Sequence, residues 1–525
     1  MEHEAAMRER DLALAMHETF MASGSEDGLS PRLQQQQSSE MIYSPRGATR
    51  LWGEQRSMVA ARELNEAFLR TLRKTEFGHH ERGAARLNHG SFGSCPKSVL
   101  AAQAEFAQTW LKQPDAFYFG GVEAALLQAR RAVAEHVNCP VHELVLIDNA
   151  TTSATIVAMD VMWALAEGRY AKGDTILMLN FAYKAVSNAF HAYGVRAGAQ
   201  LLIVEIPFPI TSASEALATL EEALKKAKAE DRVIRLAVLD HIVSMPSIIL
   251  PVKEMVALCR SYGIEQVFVD GAQAIGQVEV NVQDMDADYY TSNLNKWLFA
   301  PTTASLFHCK AKHLSRLHHP IISHNYGKGL VAECNWVGTR DYSALLAVPA
   351  CFQFMNSVPG GLKAIRAYNH DRVVAMGKML ADAWGTHCGV PADMMGSMVT
   401  VGLPPALQIS SANEVHDLRT CLRQESSIEI HGFVPPKREV SQAVTAYLRI
   451  SHQLYNTYDD YLRLRDAINT LVAKATKDRN SSMSEIWLDM SEDCNVGSVC
   501  KMFSCAAWAG CQAARCANRK RIGLA

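Results

Sequence analysis

The sequence predicts an α/β protein: a large domain on a mostly parallel sheet sandwiched by helices, plus a smaller α+β C-terminal domain. Two observations carry this. Between residues 143 and 300, short apolar and aromatic runs alternate with stretches of helical period, the pattern of strand–helix–strand units. From about Pro349 the pattern turns helix-rich with only short strand pieces, so the sheet ends there. A length of 525 residues also makes more than one domain the natural expectation.

Residues 1–80 read as a variable extension. Positions 23–45 are rich in Gly, Ser, Pro and Gln, a linker composition, and 57–74 has the period of an amphipathic helix. Leu87-Asn-His-Gly-Ser-Phe-Gly93 is a turn-rich segment ahead of a helix near Pro96. Strands are expected at 143–148, 175–180, 201–206, 233–240 and 266–270, with a further run ending near Asn293. Residues 81–345 make up the large domain and its lead-in, and 346–475 the small domain. In the small domain, helix is expected at 368–384 and 458–473, and strand at 397–403 and 428–430. Residues 476–525 carry Cys494, Cys500, Cys505, Cys511 and Cys516 at spacings unlike a zinc knuckle, and read as a disordered tail.

Composition narrows the partners. A net charge of −2 gives no electrostatic reason to expect nucleic acid or an anionic surface. No uncharged apolar run reaches membrane-spanning length, so no membrane partner is expected. The Met-Glu-His-Glu start has no apolar leader core, which points to an intracellular, cytoplasmic chain with an organelle left open. Cys139, Cys259, Cys309, Cys351 and Cys421 sit singly in apolar segments and read as small buried hydrophobes in a reducing compartment. Neither a dinucleotide fingerprint nor a Walker-type loop follows a strand, and no zinc spacing appears between 143 and 300, so no metal site is expected.

The chemistry concentrates at strand ends. One run closes on Asp270-Gly-Ala-Gln273 and the next on Asn293-Leu-Asn-Lys296-Trp. Carboxyl ends of parallel strands form the ligand crevice of an α/β protein. A carboxylate and an amine delivered there suit pyridoxal 5'-phosphate, which takes a lysine for its Schiff base and an acid for its pyridinium nitrogen. Upstream, strand 143–148 runs through Asn149-Ala150-Thr151-Thr152-Ser153 into a helix, and a helix N-terminus with small hydroxyl residues is an anion site.

These segments resemble the class V aminotransferase group of fold type I pyridoxal-phosphate enzymes. Within it the chain is similar to the isopenicillin-N-epimerase-like branch and, most of all, to plant-type L-cysteine desulfhydrases, from about Arg86 to about Thr470. The resemblance implies the fold type I architecture and a homodimer. It implies Lys296 as Schiff-base lysine and general base, Asp270 at the pyridine nitrogen and Gln273 at the ring oxygen. Ala150 and Thr151 fall at the phosphate end, and Asn293 among the cofactor contacts. Tyr183 stands where the ring is stacked, and Thr339 is a phosphate contact supplied across the dimer. Asn88, His89 and His241 (with its neighbour Asp240) are implied near the substrate, and Arg449 at its α-carboxylate. The implied reaction is β-elimination of L-cysteine to sulfide, pyruvate and ammonia.

Two departures stand out. Asn295 occupies a place where many members have histidine, and Pro301-Thr302-Thr303 replaces a Pro, basic, Gly pattern. A cysteine desulfurase, an epimerase, another C–S lyase and a non-catalytic scaffold of the same fold remain open alternatives, because sequence does not fix the bond cleaved.

Overall fold

The computed structural model describes residues 64–435 and 444–492. The helix Glu66–Thr75 is capped by Asn65, whose Oδ1 accepts the Phe68 N–H at 2.9 Å, and it buries Leu69 and Leu72. The expected helical stretch before residue 64 lies outside the described residues, as do Cys494–Cys516. Strand β1 (Ala85–Arg86) pairs in parallel with Ile428–Glu429, tying the lead-in to the C-terminal part of the chain.

The main sheet holds β2 (Leu144–Ile147), β3 (Thr175–Leu179), β4 (Gln200–Val204), β5 (Ile234–Asp240), β6 (Gln266–Asp270), β7 (Tyr289–Asn293) and β8 (Ser305–Cys309). Its spatial order is β2-β8-β7-β6-β5-β3-β4. All neighbours are parallel except at β8, which runs antiparallel to both β2 and β7. Every residue of β6 is buried, as expected of a central strand covered on both faces.

Strand β8 escapes the sequence reading for a physical reason. Ser305 and His308 interrupt its apolar run, yet both are buried because both have partners. Ser305 Oγ donates to the Ser292 carbonyl at 2.8 Å, and His308 Nε2 lies 3.1 Å from the Glu143 carboxylate.

The helix Ala150–Ala166 packs beneath the sheet with Ala154, Ile156, Val157, Val161 and Ala164 in the core. Asn149 starts it: its Oδ1 accepts the Thr152 N–H at 3.0 Å, satisfying one of the orphan donors of the first turn.

In the C-terminal part, β9 (Met398–Gly402), β11 (His431–Phe433) and β12 (Tyr447–Ser451) form a three-stranded antiparallel sheet, while β10 (Ile428–Glu429) pairs with β1. Long helices at Gly361–Trp384 and Ala412–Ser426 flank it, the second closed by a Ser411–Glu414 capping box. Arg449 stands in the middle of β12, opposite His431 and Thr400, and not at a strand end. From Thr470 the chain counts as a second unit, in which the helix Tyr458–Glu492 runs on through the first residues of the segment read as a tail. Cys259, Cys309 and Cys351 are buried as expected, whereas Cys139 and Cys421 are only partly so. Among the described residues no single helix is long and apolar enough to cross a membrane.

Candidate active site

The C-terminal ends of β5, β6 and β7 open on one edge of the sheet. Strand β7 passes directly into the one-turn helix Leu294–Trp297, which carries Lys296. Two contacts fix this strand end to the helix Ala150–Ala166. The Asn293 Oδ1 accepts the Ala150 N–H at 2.9 Å, and the Thr291 and Ser153 hydroxyls are 2.9 Å apart.

A cavity of about 240 Å³ lies over this edge. Asp240, Asp270 and Lys296 line it together with Gln273, and Ala150, Thr151, Tyr183, Asn293, Asn295 and Thr303 stand around it. Ser91 and Ser244 line it on the side of Arg449. No cysteine is among its lining residues.

The Lys296 ammonium is lowered to about 8, chiefly by burial; the Asp270 charge opposes this and the Arg449 charge adds to it. Burial raises Asp240 well above the ordinary carboxyl range, and the negative charge of Asp270 adds to it. The two are cross-strand neighbours in register. Asp270 is also raised by burial, but the Ala272 N–H on its Oδ1 at 2.9 Å and the Lys296 charge hold it back. Of the pair, Asp270 is therefore the carboxyl that ionises and Asp240 the one that keeps its proton.

Ala150, Thr151, Tyr183, Asp270, Gln273, Asn293 and Lys296 are thus brought together around one cavity. Others are placed differently. His89 is 2% exposed and both ring nitrogens are taken, by the Tyr455 hydroxyl at 2.8 Å and the Lys296 carbonyl at 2.6 Å, so it lies behind the lysine and not toward a substrate. His241 is buried outside the cavity lining with Nδ1 3.1 Å from the Tyr290 hydroxyl, and burial lowers it to about 4. The extended chain alternates past the end of β5, so Asp240 and Ile242 line the cavity and His241 between them does not.

Asn88 does not line the cavity; its Oδ1 accepts from Arg449 at 2.8 Å. The guanidinium is 2% exposed, and its terminal nitrogens also donate to the Ser91 hydroxyl at 2.8 Å, the Ser244 carbonyl at 2.7 Å and the Ser244 hydroxyl at 3.3 Å. Gln273 is already committed. Its Oε1 accepts the Trp297 indole N–H at 2.8 Å and its Nε2 donates to the Gly90 carbonyl at 2.7 Å. Thr339 is exposed and outside this chain's cavity, next to Arg340, which pairs with Asp148.

Sequence reasoning missed Ser91 and Ser244. Ser91 sits within the Asn-His-Gly-Ser turn it had singled out, and Ser244 just beyond the end of β5, so the signal was local but carried no orientation.

The lining fits a phosphate-bearing, nitrogen-containing ring. Among the described residues the Thr151 N–H and hydroxyl have no partner, the Lys296 amine has no hydrogen bond, and the buried Asp240 Oδ2 is unpaired. Those are an anion site, an amine and an acid in one cavity.

The family model described as aminotransferase class-V matches residues 93–464. A protein named putative L-cysteine desulfhydrase 1 from Oryza sativa subsp. japonica is 48% identical over 430 residues, covering 80% of this chain and 87% of its own length. The L-cysteine desulfhydrase of Arabidopsis thaliana is 46% identical over 408 residues, 76% of this chain and 90% of that one. Among solved structures, an apo cysteine desulfurase from Thermococcus onnurineus NA1 superposes with a TM-score of 0.61 over 77% of this chain and 98% of that one, at 16% identity. That last likeness speaks to the fold alone.

Proposed function

Because the chain belongs to the class V aminotransferase family, we propose that it is a pyridoxal-phosphate-dependent C–S lyase that converts L-cysteine and water into sulfide, pyruvate and ammonia. The observation that carries this reading is the meeting of Lys296 and two strand-end carboxyls around one small cavity, with Arg449 held directly behind its lining residues Ser91 and Ser244.

The cofactor supplies an electron sink for the pair left on Cα. Lys296 would hold it through Nζ, Asp270 would face its ring nitrogen and Thr151 its phosphate, with Thr339 doing so across a homodimer. Tyr183, 53% exposed at the cavity mouth, is free to cover the ring. Arg449 takes the substrate α-carboxylate when the Ser91 and Ser244 hydroxyls give up their places on its fork. An amine near 8 is neutral often enough to remove the Cα proton at mild pH. The Cβ–S bond then breaks and sulfur leaves with a proton, and hydrolysis of the remaining enamine gives pyruvate and ammonia. Among the described residues no cysteine lines the cavity to take sulfur as a persulfide, which favours free sulfide over desulfurase chemistry. None of the eight described cysteines is in a disulfide, which suits a reducing compartment such as the cytoplasm.

The test is the visible spectrum of purified protein with pyridoxal phosphate, wild type against Lys296→Ala, together with product analysis after adding L-cysteine. Wild type should be coloured and release sulfide and pyruvate; the variant should do neither. A coloured wild type yielding sulfane sulfur or racemised amino acid would refute the lyase, and a colourless one the cofactor.

A further inference from the structure

Lys296 is held from behind, through its backbone. His89 Nε2 lies 2.6 Å from the Lys296 carbonyl and His89 Nδ1 lies 2.8 Å from the Tyr455 hydroxyl. A carbonyl only accepts, so Nε2 carries the ring proton and donates it to Lys296. A neutral imidazole has a single N–H, so Nδ1 is an acceptor and the Tyr455 hydroxyl donates to it. The tautomer is thereby fixed. Burial, with the charges of Arg86 and His80 acting the same way, lowers the ring to about 3, so it stays neutral. The ring also packs on Trp297, with centroids 4.5 Å apart.

The same turn faces the other way as well. The His89 N–H donates to Ser451 Oγ at 2.7 Å, two residues beyond Arg449 on β12, while Asn88 and Ser91 accept from Arg449 itself. The short helix His89–Phe92 is therefore clamped between the lysine turn and the strand that carries the arginine.

We propose that His89 and Tyr455 are positioning residues for Lys296: the directed relay from the Tyr455 hydroxyl through His89 to the Lys296 carbonyl sets where Nζ stands relative to Arg449. This rests on reading Lys296 as the cofactor-holding residue and base. Such a lysine has to reach two points in turn, and small backbone displacements are expensive in rate.

The test uses the cofactor-loaded enzyme and compares wild type with Tyr455→Phe, His89→Gln and His89→Asn. Three quantities are read: the pH midpoint of the visible absorbance of lysine-bound cofactor, kcat and KM for L-cysteine, and the thermal unfolding midpoint. Glutamine can carry an amide N–H near the place of Nε2–H; asparagine is one bond too short. His89→Asn should lower kcat about 10- to 100-fold with KM within about twofold, and should move the absorbance midpoint. His89→Gln should recover most of both, and Tyr455→Phe should lose about 3- to 10-fold in kcat. Wild-type kcat and midpoint in all three variants would overturn the proposal. So would equal impairment of Gln and Asn with equally lowered unfolding midpoints, which is a packing role alone. A wild type that binds no cofactor fails the parent reading and takes this one with it, and its own spectrum shows that before any variant is compared.

Discussion

The two walls of the cavity are built on opposite plans. Behind the inner wall a supporting shell of polar groups is bonded together: Trp297 to Gln273, Gln273 to Gly90, His89 to Lys296, Arg449 to Asn88, Ser91 and Ser244. At the outer rim some groups are not bonded. Thr151 keeps a free N–H and hydroxyl, and Tyr183 is half exposed. The contrast teaches a division of labour. The supporting shell is pre-bonded and buried, while the groups facing the cavity, the Lys296 amine, Asp240 Oδ2 and the Thr151 N–H and hydroxyl, keep unbonded atoms for a ligand.

Breaking the inner wall should cost most. Arg449→Lys replaces a planar fork bonded on both terminal nitrogens by a single ammonium. We expect kcat/KM for L-cysteine to fall about 100- to 1000-fold, chiefly through KM, with the cofactor absorbance retained. Loss of the absorbance instead would mean that the two walls are one unit.

Gly93→Ala strikes the joint of the inner wall. Gly93 has φ 72°, and a Cβ there would overlap the Asn295 carbonyl. A loss of about 3 kcal/mol or more of stability is expected, read as a lowered denaturation midpoint.

The rim should respond more gently. Thr151→Val removes one unpaired hydroxyl and should weaken pyridoxal phosphate binding by about 3- to 10-fold, with kcat unchanged at saturating cofactor. Equilibrium dialysis against the free cofactor gives that number.

The smallest effect concerns Asp240, the one inner-wall group with an unpaired oxygen. Burial, then Asp270, raises its carboxyl. A carboxyl raised on folding contributes stability below its unfolded value, roughly 3.9, and that contribution is lost as pH rises through the folded value. Asp240→Asn cannot ionise. It should melt with wild type in acid and above it at neutral pH, the gap opening as pH rises; a gap that closes instead would contradict the raised carboxyl.

The outlines of all this were legible in the chain. Asp270 closes one short strand of clear period and Lys296 follows the end of the next, and such local patterns survive without tertiary information. What sequence could not supply was facing. His241 and Asp240 are neighbours on the chain, but only one side of β5 looks into the cavity. His89 was visible as part of a turn, yet its partners Tyr455 and Lys296 lie hundreds of residues further on and nothing local announces them. Arg449 was found by motif, while its seat on Asn88, Ser91 and Ser244 follows from three separate segments converging. Strand β8 was lost because its buried polar residues depend on remote partners.

That same strand governs the order of assembly. Among the described residues β2 has β8 as its only sheet neighbour, although the whole of β3 to β7 lies between them in the chain. During synthesis, the residues at the head of the helix Ala150–Ala166 leave the ribosome early but cannot be seated beside Asn293 until β8 has emerged to bridge them. The nascent chain thus keeps the Ala150–Thr151 turn and Lys296 apart until most of the large sheet exists.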